Sequence, residues 1–196
     1  MNAQVPIGPR AITVRDVRFG RRVPERWWAG GDPVATAWFT ALSATFPRGE
    51  ALFIDSVKAF REGAPAPLAG EIRAFVRQEA NHTREHLALN RATETAGYDL
   101  SRIDARVEHL IGLVRARPPI AGLAVTMALE HFTAMFSHEF LEHPDHFLGA
   151  GADQAALWRW HAVEEIEHKR SPTTPGSMPR ANGAGGGGGR PAAWRC

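Results

Sequence analysis

Apolar residues recur at helical spacing over most of the chain, starting at residue 32. Asp32-Pro33 has the form of an N-cap followed by a first-turn proline, and it predicts a helix that runs to about residue 45. Pro47 then opens a second helical pattern that ends at Gly63. Two short helices or one kinked helix would both satisfy this pattern.

The rest of the chain predicts four more helical segments. A long helix extends from Leu68 to a stop near Gly97, and a shorter one follows over residues 103–114. A third covers residues 119–142, and a fourth covers residues 153–170. No segment has the alternation of a convincing strand, so the pattern predicts an all-α fold.

The same pattern divides the chain into three parts. Residues 1–31 are predicted to form an irregular N-terminal arm with one short extended piece near residues 11–17. Residues 32–170 are predicted to form one helical bundle, and residues 171–196 a tail rich in Gly, Pro and Arg. The tail contains five consecutive glycines and buries too little apolar surface to offset its ordering entropy, so we expect it to be disordered.

Composition excludes several classes of protein. The chain carries 23 Lys and Arg against 21 Asp and Glu, and six arginines cluster between residues 10 and 26. A solvated arm explains that cluster better than a nucleic-acid partner, which we do not expect. Cys196 is the one cysteine, so no disulfide can form within the chain, and a cytoplasmic location is the default. The longest apolar run, residues 118–129, is shorter than the roughly 20 residues of a membrane span, so no stable membrane insertion is expected.

Ionisable residues interrupt the apolar helices in two matching sets. Each set has a lone Glu on one helix and a Glu-x-x-His pair on another; the members are Glu50, Glu79 and His82 in the first set and Glu130, Glu165 and His168 in the second. Residues three apart on a helix face the same side, so each pair can point into one cavity. This is the ligand pattern of ferritin-like di-iron and di-manganese proteins. The sequence therefore predicts a ferritin-like helical bundle with a dinuclear site of four glutamates and two histidines.

The surroundings of Glu130 support a metal. An unpaired carboxylate beside Leu129 and Phe132 would cost several kcal/mol on burial, and coordination removes that cost. Four carboxylates neutralise two divalent cations, and oxygen-rich ligands with two imidazoles suit iron, with manganese or zinc as alternatives. A buried network of carboxylates and protonated histidines without metal is the competing interpretation.

Two further histidines lie on the same helix faces. His86 follows His82 by four residues and His161 precedes Glu165 by four. Each is a candidate metal ligand or a hydrogen-bond partner of a ligand. Glu164 and Glu167 are expected to face water or an arginine.

Four segments carry a family resemblance. They are LSATFPRGE at 42–50, QEANHTREH at 78–86, ALEHFTA at 128–134 and WRWHAVEEIEHK at 158–169. In this order they resemble a bacterial family known as predicted metal-dependent hydrolases, over about residues 10–170. The resemblance implies that the six residues of the two sets bind metal, with His86 and His161 as additions. The repeated Glu and Glu-x-x-His pattern also looks like that of di-iron oxygenases such as the arylamine N-oxygenases.

The chain departs from the family at its C-terminal end. Family members continue with helical sequence after the last segment, whereas Ser171-Pro172 interrupts the pattern here. We expect a truncation or a change of reading frame at this point, which would place His168 near a fraying helix end.

Three functions remain open at this level. The first is hydrolysis of a small-molecule substrate by two metal ions, and the second is oxidation of a small organic substrate by two ferrous ions and O₂. The third is a non-catalytic metal-binding bundle. A homodimer is compatible with all three. No Gly-x-Ser-x-Gly arrangement offers a metal-free hydrolytic route.

Overall fold

The computed structural model describes residues 12–20 and 22–168. Within them the chain forms five α-helices and one short 3₁₀ helix, and no strand is present in these residues. The α-helices are α1 (Pro33–Lys58), α2 (Ala66–Thr95), α3 (Ser101–Arg115), α4 (Pro119–Glu142) and α5 (Ala152–His168), and the 3₁₀ helix is Pro144–Phe147. The all-α prediction is confirmed, while the ferritin-like subtype remains a prediction.

The first helix is continuous, although Pro47 lies inside it. Asp32 caps its start, because the Oδ1 atom accepts hydrogen bonds from the backbone N–H groups of Val34 at 2.7 Å and Ala35 at 3.2 Å. Pro47 has no N–H to donate to the carbonyl of Ser43, four residues earlier. The side-chain amide of Asn90 on α2 donates to that carbonyl instead, at 3.1 Å. A neighbouring helix therefore supplies the donor that the proline removes.

Four helices enclose the interior. Helix α1 packs against α2 and α4, and α5 packs against the same two helices, so the order around the bundle is α1, α2, α5, α4. Helix α3 lies outside this ring against α1 and α4. Gly97, at a φ of 95°, ends α2 in the left-handed conformation that favours glycine.

The apolar core has two parts. The first is aromatic and includes Phe39, Phe46, Phe140 and Trp158. The second includes Phe53, Val57, Ile72, Phe75 and Leu123, together with Ile12 of the N-terminal arm. Along α1 and α4, residues of one part precede and residues of the other follow the acidic residue that faces the interior, Glu50 on α1 and Glu130 on α4. The bundle therefore holds a polar layer between two apolar ones.

Other predictions have mixed outcomes. The arm is irregular, and the extended piece expected near residues 11–17 forms no strand over residues 12–17. The tail, with the predicted last two residues of α5, lies outside the described residues. The division into arm, bundle and tail stays a prediction.

Helix α4 is the one described helix that is long and apolar enough to cross a membrane, and 28% of its most apolar window is buried. Core helices of soluble proteins meet the same criteria, and α4 contributes an acidic residue, Glu130, to the polar layer.

Candidate metal centre

The polar layer brings every predicted ligand into one cluster. Helix α1 contributes Glu50, α2 contributes Glu79, His82 and His86, α4 contributes Glu130, and α5 contributes His161, Glu165 and His168. All are buried except Glu130, whose side chain keeps 14% of its surface exposed. The helical spacing argument thus places these side chains correctly, and whether they bind metal stays a prediction.

Three ligand atoms meet on one side of the cluster. Glu50, His82 and His161 each offer one atom within 4.8 Å of the other two. The Nε2 atom of His161 lies 3.9 Å from Glu50 Oε1 and 3.0 Å from Glu165 Oε1. We call these three residues the first group. His161 therefore stands where a ligand would, although its sequence spacing alone left its role open.

A second group lies on the other side. Glu79, Glu165 and His168 also offer atoms within 4.8 Å of one another. The Nδ1 atom of His168 is 3.3 Å from Glu79 Oε1 and 3.6 Å from Glu165 Oε2. Glu130 joins this side, since its Oε2 atom lies 2.8 Å from the same nitrogen.

Two carboxylates connect the groups. Glu165 turns Oε1 toward His82 Nδ1 at 3.5 Å and Oε2 toward His168. Glu79 is placed in the same way, with Oε2 3.8 Å from His82 Nδ1 and Oε1 near His168. Carboxylates that offer one oxygen to each group suit two neighbouring cations better than a single one.

The hydrogen bonds of His82 show which nitrogen is free to bind a metal. Glu164 accepts hydrogen bonds from the backbone N–H of Arg15 at 3.0 Å and from its guanidinium at 3.3 Å, both at Oε1. Its Oε2 lies 3.0 Å from His82 Nε2. Because this carboxylate accepts, Nε2 of His82 carries the proton and Nδ1 turns a lone pair toward Glu79 and Glu165.

The hydrogen bonds of Gln78 show in the same way which nitrogen of His168 donates to it. The amide nitrogen of Gln78 donates to the carbonyl of Thr13 at 3.0 Å and to Glu167 at 3.1 Å. The amide oxygen of Gln78 must therefore accept from His168 Nε2, which lies 3.0 Å away. Nδ1 of His168, which lies 2.8 Å from Glu130 Oε2, is therefore the nitrogen left for a metal once its own proton is lost.

For His161 the direction of the hydrogen bonds is set by Asn90, which is linked to His161 through Ser43 and His86. Asn90 donates to the Ser43 carbonyl, so its oxygen accepts the Ser43 hydroxyl proton at 2.7 Å. Ser43 then accepts from His86 Nδ1 at 2.9 Å, and His86 Nε2 accepts from His161 Nδ1 at 2.6 Å. Nε2 of His161 is left with a lone pair that faces Glu50 and Glu165. His86 thus orients His161 and has no nitrogen left for the cluster.

Of the three histidines, His82 and His161 therefore each turn a lone pair toward carboxyl oxygens. Such an arrangement is repulsive unless a cation, or a proton on the carboxyl group, lies between the two. A metal-binding histidine usually donates its other N–H to a fixed acceptor, and each of these three does so.

Buried polar atoms without hydrogen-bond partners also favour bound metal ions in the cluster. Among the described residues, eight buried side-chain N or O atoms lack a hydrogen-bond partner. Five of them belong to the cluster, namely Glu50 Oε1, both oxygens of Glu79, His82 Nδ1 and Glu130 Oε1. Buried polar atoms are rarely left unpaired, so these residues fit a pair of bound cations.

The pKa values in the cluster show that its carboxyl groups lie too close together, and too deeply buried, for all of them to be ionised without a neighbouring positive charge. Burial, reinforced by neighbouring carboxylates, raises the pKa of Glu50 and of Glu79 well above the ordinary value. Burial alone would lower the pKa of His168, but Glu130 and Glu165 outweigh it and raise this pKa well above the usual range. In the metal-free protein His168 is therefore protonated, and its positive charge partly offsets the negative charge of the carboxylates.

His161 behaves differently. Burial, with His82 nearby, lowers the pKa of His161 to about 4, and burial also lowers the pKa of His86 well below its normal value. Both imidazoles are therefore neutral near pH 7, the form in which a histidine nitrogen binds a metal.

Glu164 is the residue that the sequence interpretation placed incompletely. It was expected to face water or an arginine, and it does pair with Arg15, but it is fully buried and also holds His82. It lies three residues after His161 and four before His168, so the same helix-face argument could have found it.

One comparison with known proteins gives a match. A family model described as predicted metal-dependent hydrolase matches residues 13–171. The chain belongs to this family. No curated protein and no solved structure gives a significant match.

The extent of the family match fits the geometry of the site. It includes all the candidate ligands and begins at Thr13, whose carbonyl accepts from Gln78. Arg15, which binds Glu164, also lies inside it. In this member of the family the N-terminal arm thus contacts the residues that orient His82 and His168.

Proposed function

We propose that this protein is a hydrolase that uses two divalent metal ions in the cluster described above. Glu50, His82 and His161 hold one ion, and His168 with Glu130 holds the other. Glu79 and Glu165 lie between the two. The observation that supports the proposal most is that His82 and His161 each turn a lone pair toward carboxyl oxygens, while the other ring N–H of His82, His161 and His168 has a fixed acceptor.

Two bound divalent ions would polarise the acyl oxygen of an ester or amide and lower the pKa of water for attack. Hydrolysis breaks the bond between the acyl carbon and the leaving oxygen or nitrogen; the hydroxyl of water joins the carbon and its proton goes to the leaving atom. The protein's own part is to fix the ligands. Thr83 donates to Glu50 at 2.7 Å and Thr133 donates to Glu165 at 2.7 Å, so both carboxylates have one oxygen held.

A di-iron oxidase or oxygenase is the second candidate. The observation that favours it is the ligand set itself, since four carboxylates with a few imidazoles suit iron that changes charge. Iron is the first choice of metal under either function, with manganese or zinc as alternatives. A non-catalytic metal-binding bundle is the third candidate. The small-molecule substrate, the cytoplasmic location and the homodimer also stay predictions.

Metal analysis after anaerobic purification, followed by rapid mixing with O₂, separates these functions. Bound iron, manganese or zinc that is inert to O₂, together with ester or amide hydrolysis that a chelator abolishes, is the result expected of the hydrolase. Two irons per chain that give a transient optical band with O₂ would refute hydrolysis and support the oxygenase. Bound metal with neither activity would leave the non-catalytic bundle.

A further inference from the structure

The outward side of α4 is apolar along most of its length. Over residues 119–138, Glu130 is the one Asp, Glu, Lys or Arg, and it turns inward to His168. A helix at the surface of a globular protein usually presents polar residues to water. Here the exposed side includes three alanines and five large apolar residues; we call these eight residues the α4 face, and they are Ile120, Ala121, Ala124, Ala128, Leu129, Phe132, Met135 and Phe136.

The exposed apolar area of the α4 face is large for a monomer. Its five large residues keep between 39% and 61% of their surface exposed. At the size of a typical aromatic residue, this amounts to roughly 500 Å² in total. Soluble monomers rarely leave contiguous apolar patches of more than a few hundred Å² exposed. A stable interface buries about 800 Å² per partner, so these five residues supply more than half of that area before the alanines are counted.

Small and large side chains occupy opposite halves of the α4 face. Ala121, Ala124 and Ala128 lie toward its N-terminal end, and Phe132 and Met135 lie toward its C-terminal end. When two copies of α4 are antiparallel with Ala128 of each on a two-fold axis, Phe132 of one copy packs over Ala124 of the other. Met135 then packs over Ala121. Because large residues opposite small ones fill an interface without voids, and the two-fold axis repeats each contact, the face fits a second copy of itself.

The charges beyond the two ends of the α4 face support the same arrangement. Glu139 and Glu142 are exposed at the C-terminal end of α4, and Arg117 is exposed just before its N-terminal end. In the antiparallel pair the acidic end of each helix lies beside Arg117 of the other copy. A parallel pair would instead bring the two acidic ends together. Charge complementarity of this kind fixes the orientation of two partners, and here it favours the antiparallel one.

Two other occupants match the α4 face less well. Residues 169–196, which follow the described part of the chain, contain two large apolar residues, Met178 and Trp194. Two such residues are too few to cover a face with five. A lipid surface attracts basic residues beside an apolar helix face, whereas the C-terminal end of this face is acidic. A second copy of the chain is therefore the occupant that the observations favour.

We propose that the α4 face is the interface of a homodimer, in which the two α4 helices pair in antiparallel orientation about a two-fold axis at Ala128. The proposal does not depend on metal binding or on hydrolysis, because Glu130 and the rest of the cluster lie on the inner side of α4.

Sedimentation equilibrium of the full chain tests whether the dimer forms. We expect twice the 21.4 kDa mass of one chain at micromolar concentration. Phe132→Asp places a carboxylate against Ala124 of the other copy, and because burial of an unpaired charge is costly, we expect dimerisation at least about 100-fold weaker. A wild type that stays monomeric at high micromolar concentration, or Phe132→Asp that dimerises as the wild type does, would overturn the proposal.

Leu148→Asp is the matched control. Leu148 is more exposed than Phe132 and follows the 3₁₀ helix, so it lies outside the α4 face. This variant should dimerise like the wild type, and circular dichroism should show native helix content in both variants. Equal loss of the dimer in Leu148→Asp would contradict the proposed interface. A monomeric wild type that floats with phosphatidylcholine vesicles would assign the face to a lipid surface and overturn the dimer.

Charge reversal tests the orientation of the two copies. Arg117→Glu and Glu139→Arg should each weaken the dimer several-fold, because each brings like charges together at both ends of the pair. The double variant restores opposite charges, so it should recover most of the wild-type affinity. A double variant that dimerises no better than the single ones would overturn the antiparallel arrangement.

Discussion

Replacing Glu164 by glutamine should weaken metal binding without removing a ligand. In the native protein one oxygen of Glu164 accepts from Arg15 and the other accepts from His82 Nε2. Glutamine keeps one acceptor and gains one donor. Because Arg15 offers only N–H groups here, the amide oxygen of the variant turns to Arg15 and its NH₂ faces His82.

This substitution should change the tautomer of His82. With a donor opposite it, Nε2 has to accept, so the proton moves to Nδ1, which faces Glu79 at 3.8 Å and Glu165 at 3.5 Å. A protonated nitrogen cannot bind a metal. Changes to groups that orient metal ligands cost about 10- to 100-fold in affinity, or about 1.4–2.8 kcal/mol, and we expect a loss in that range for one of two ions.

The assay is titration of the metal-free protein with Zn²⁺ in competition with a chromophoric chelator. Glu139→Gln is the control, since this glutamate is exposed on α4 and contacts only His143 and His146 among the ion pairs of the described chain. Nitrogen-15 NMR of His82 reports the tautomer directly, and circular dichroism checks that the helices are retained. Native affinity for both ions in Glu164→Gln, with Nδ1 of His82 still unprotonated, would refute the reasoning.

Two further predictions concern His161. Ser43→Ala removes the hydroxyl that accepts from His86, so nitrogen-15 NMR of the metal-free variant should show His161 in a mixture of tautomers. Ser56, a buried serine on the same helix, provides the control, and Ser56→Ala should leave the tautomer of His161 unchanged. A single native tautomer of His161 in Ser43→Ala would contradict the network. His161 has a pKa of about 4 in the folded protein against an ordinary 6.5, so its neutral form contributes stability that is fully present above pH 6.5 and is lost as the pH falls toward 4. Denaturant unfolding of the metal-free protein at pH 7 and pH 5 should therefore show a smaller loss in His161→Gln than in the wild type, and an equal loss would contradict this.

The local pattern of the sequence was sufficient to predict the helices and the ligand faces. Residues three or four apart share a helix face whatever the rest of the fold does, so His82 and His168 could be paired with their glutamates before any tertiary structure was known. The same rule includes Glu164, but the local sequence does not distinguish it from Glu165 and Glu167, which also lie between His161 and His168.

The interactions that orient the ligands could not be predicted, because they join distant parts of the chain. Arg15 reaches Glu164 across 149 positions, and only the packing of the arm against α2 and α5 brings them together. The effect of Pro47 on α1 also depends on a residue far away in the sequence. Whether α1 breaks or continues there depends on Asn90, 47 positions from the Ser43 carbonyl that it bonds, and the same asparagine sets the direction of the bonds that lead to His161.

The number of metal ions per chain tests the central claim most directly. We predict two ions, by elemental mass spectrometry, in anaerobically purified wild type and in Glu142→Gln, an exposed control at the end of α4. Glu79→Gln and Glu165→Gln should each hold fewer than two, because each removes a carboxylate that lies between the groups. A wild type without metal, or a full complement in both variants, would contradict the account.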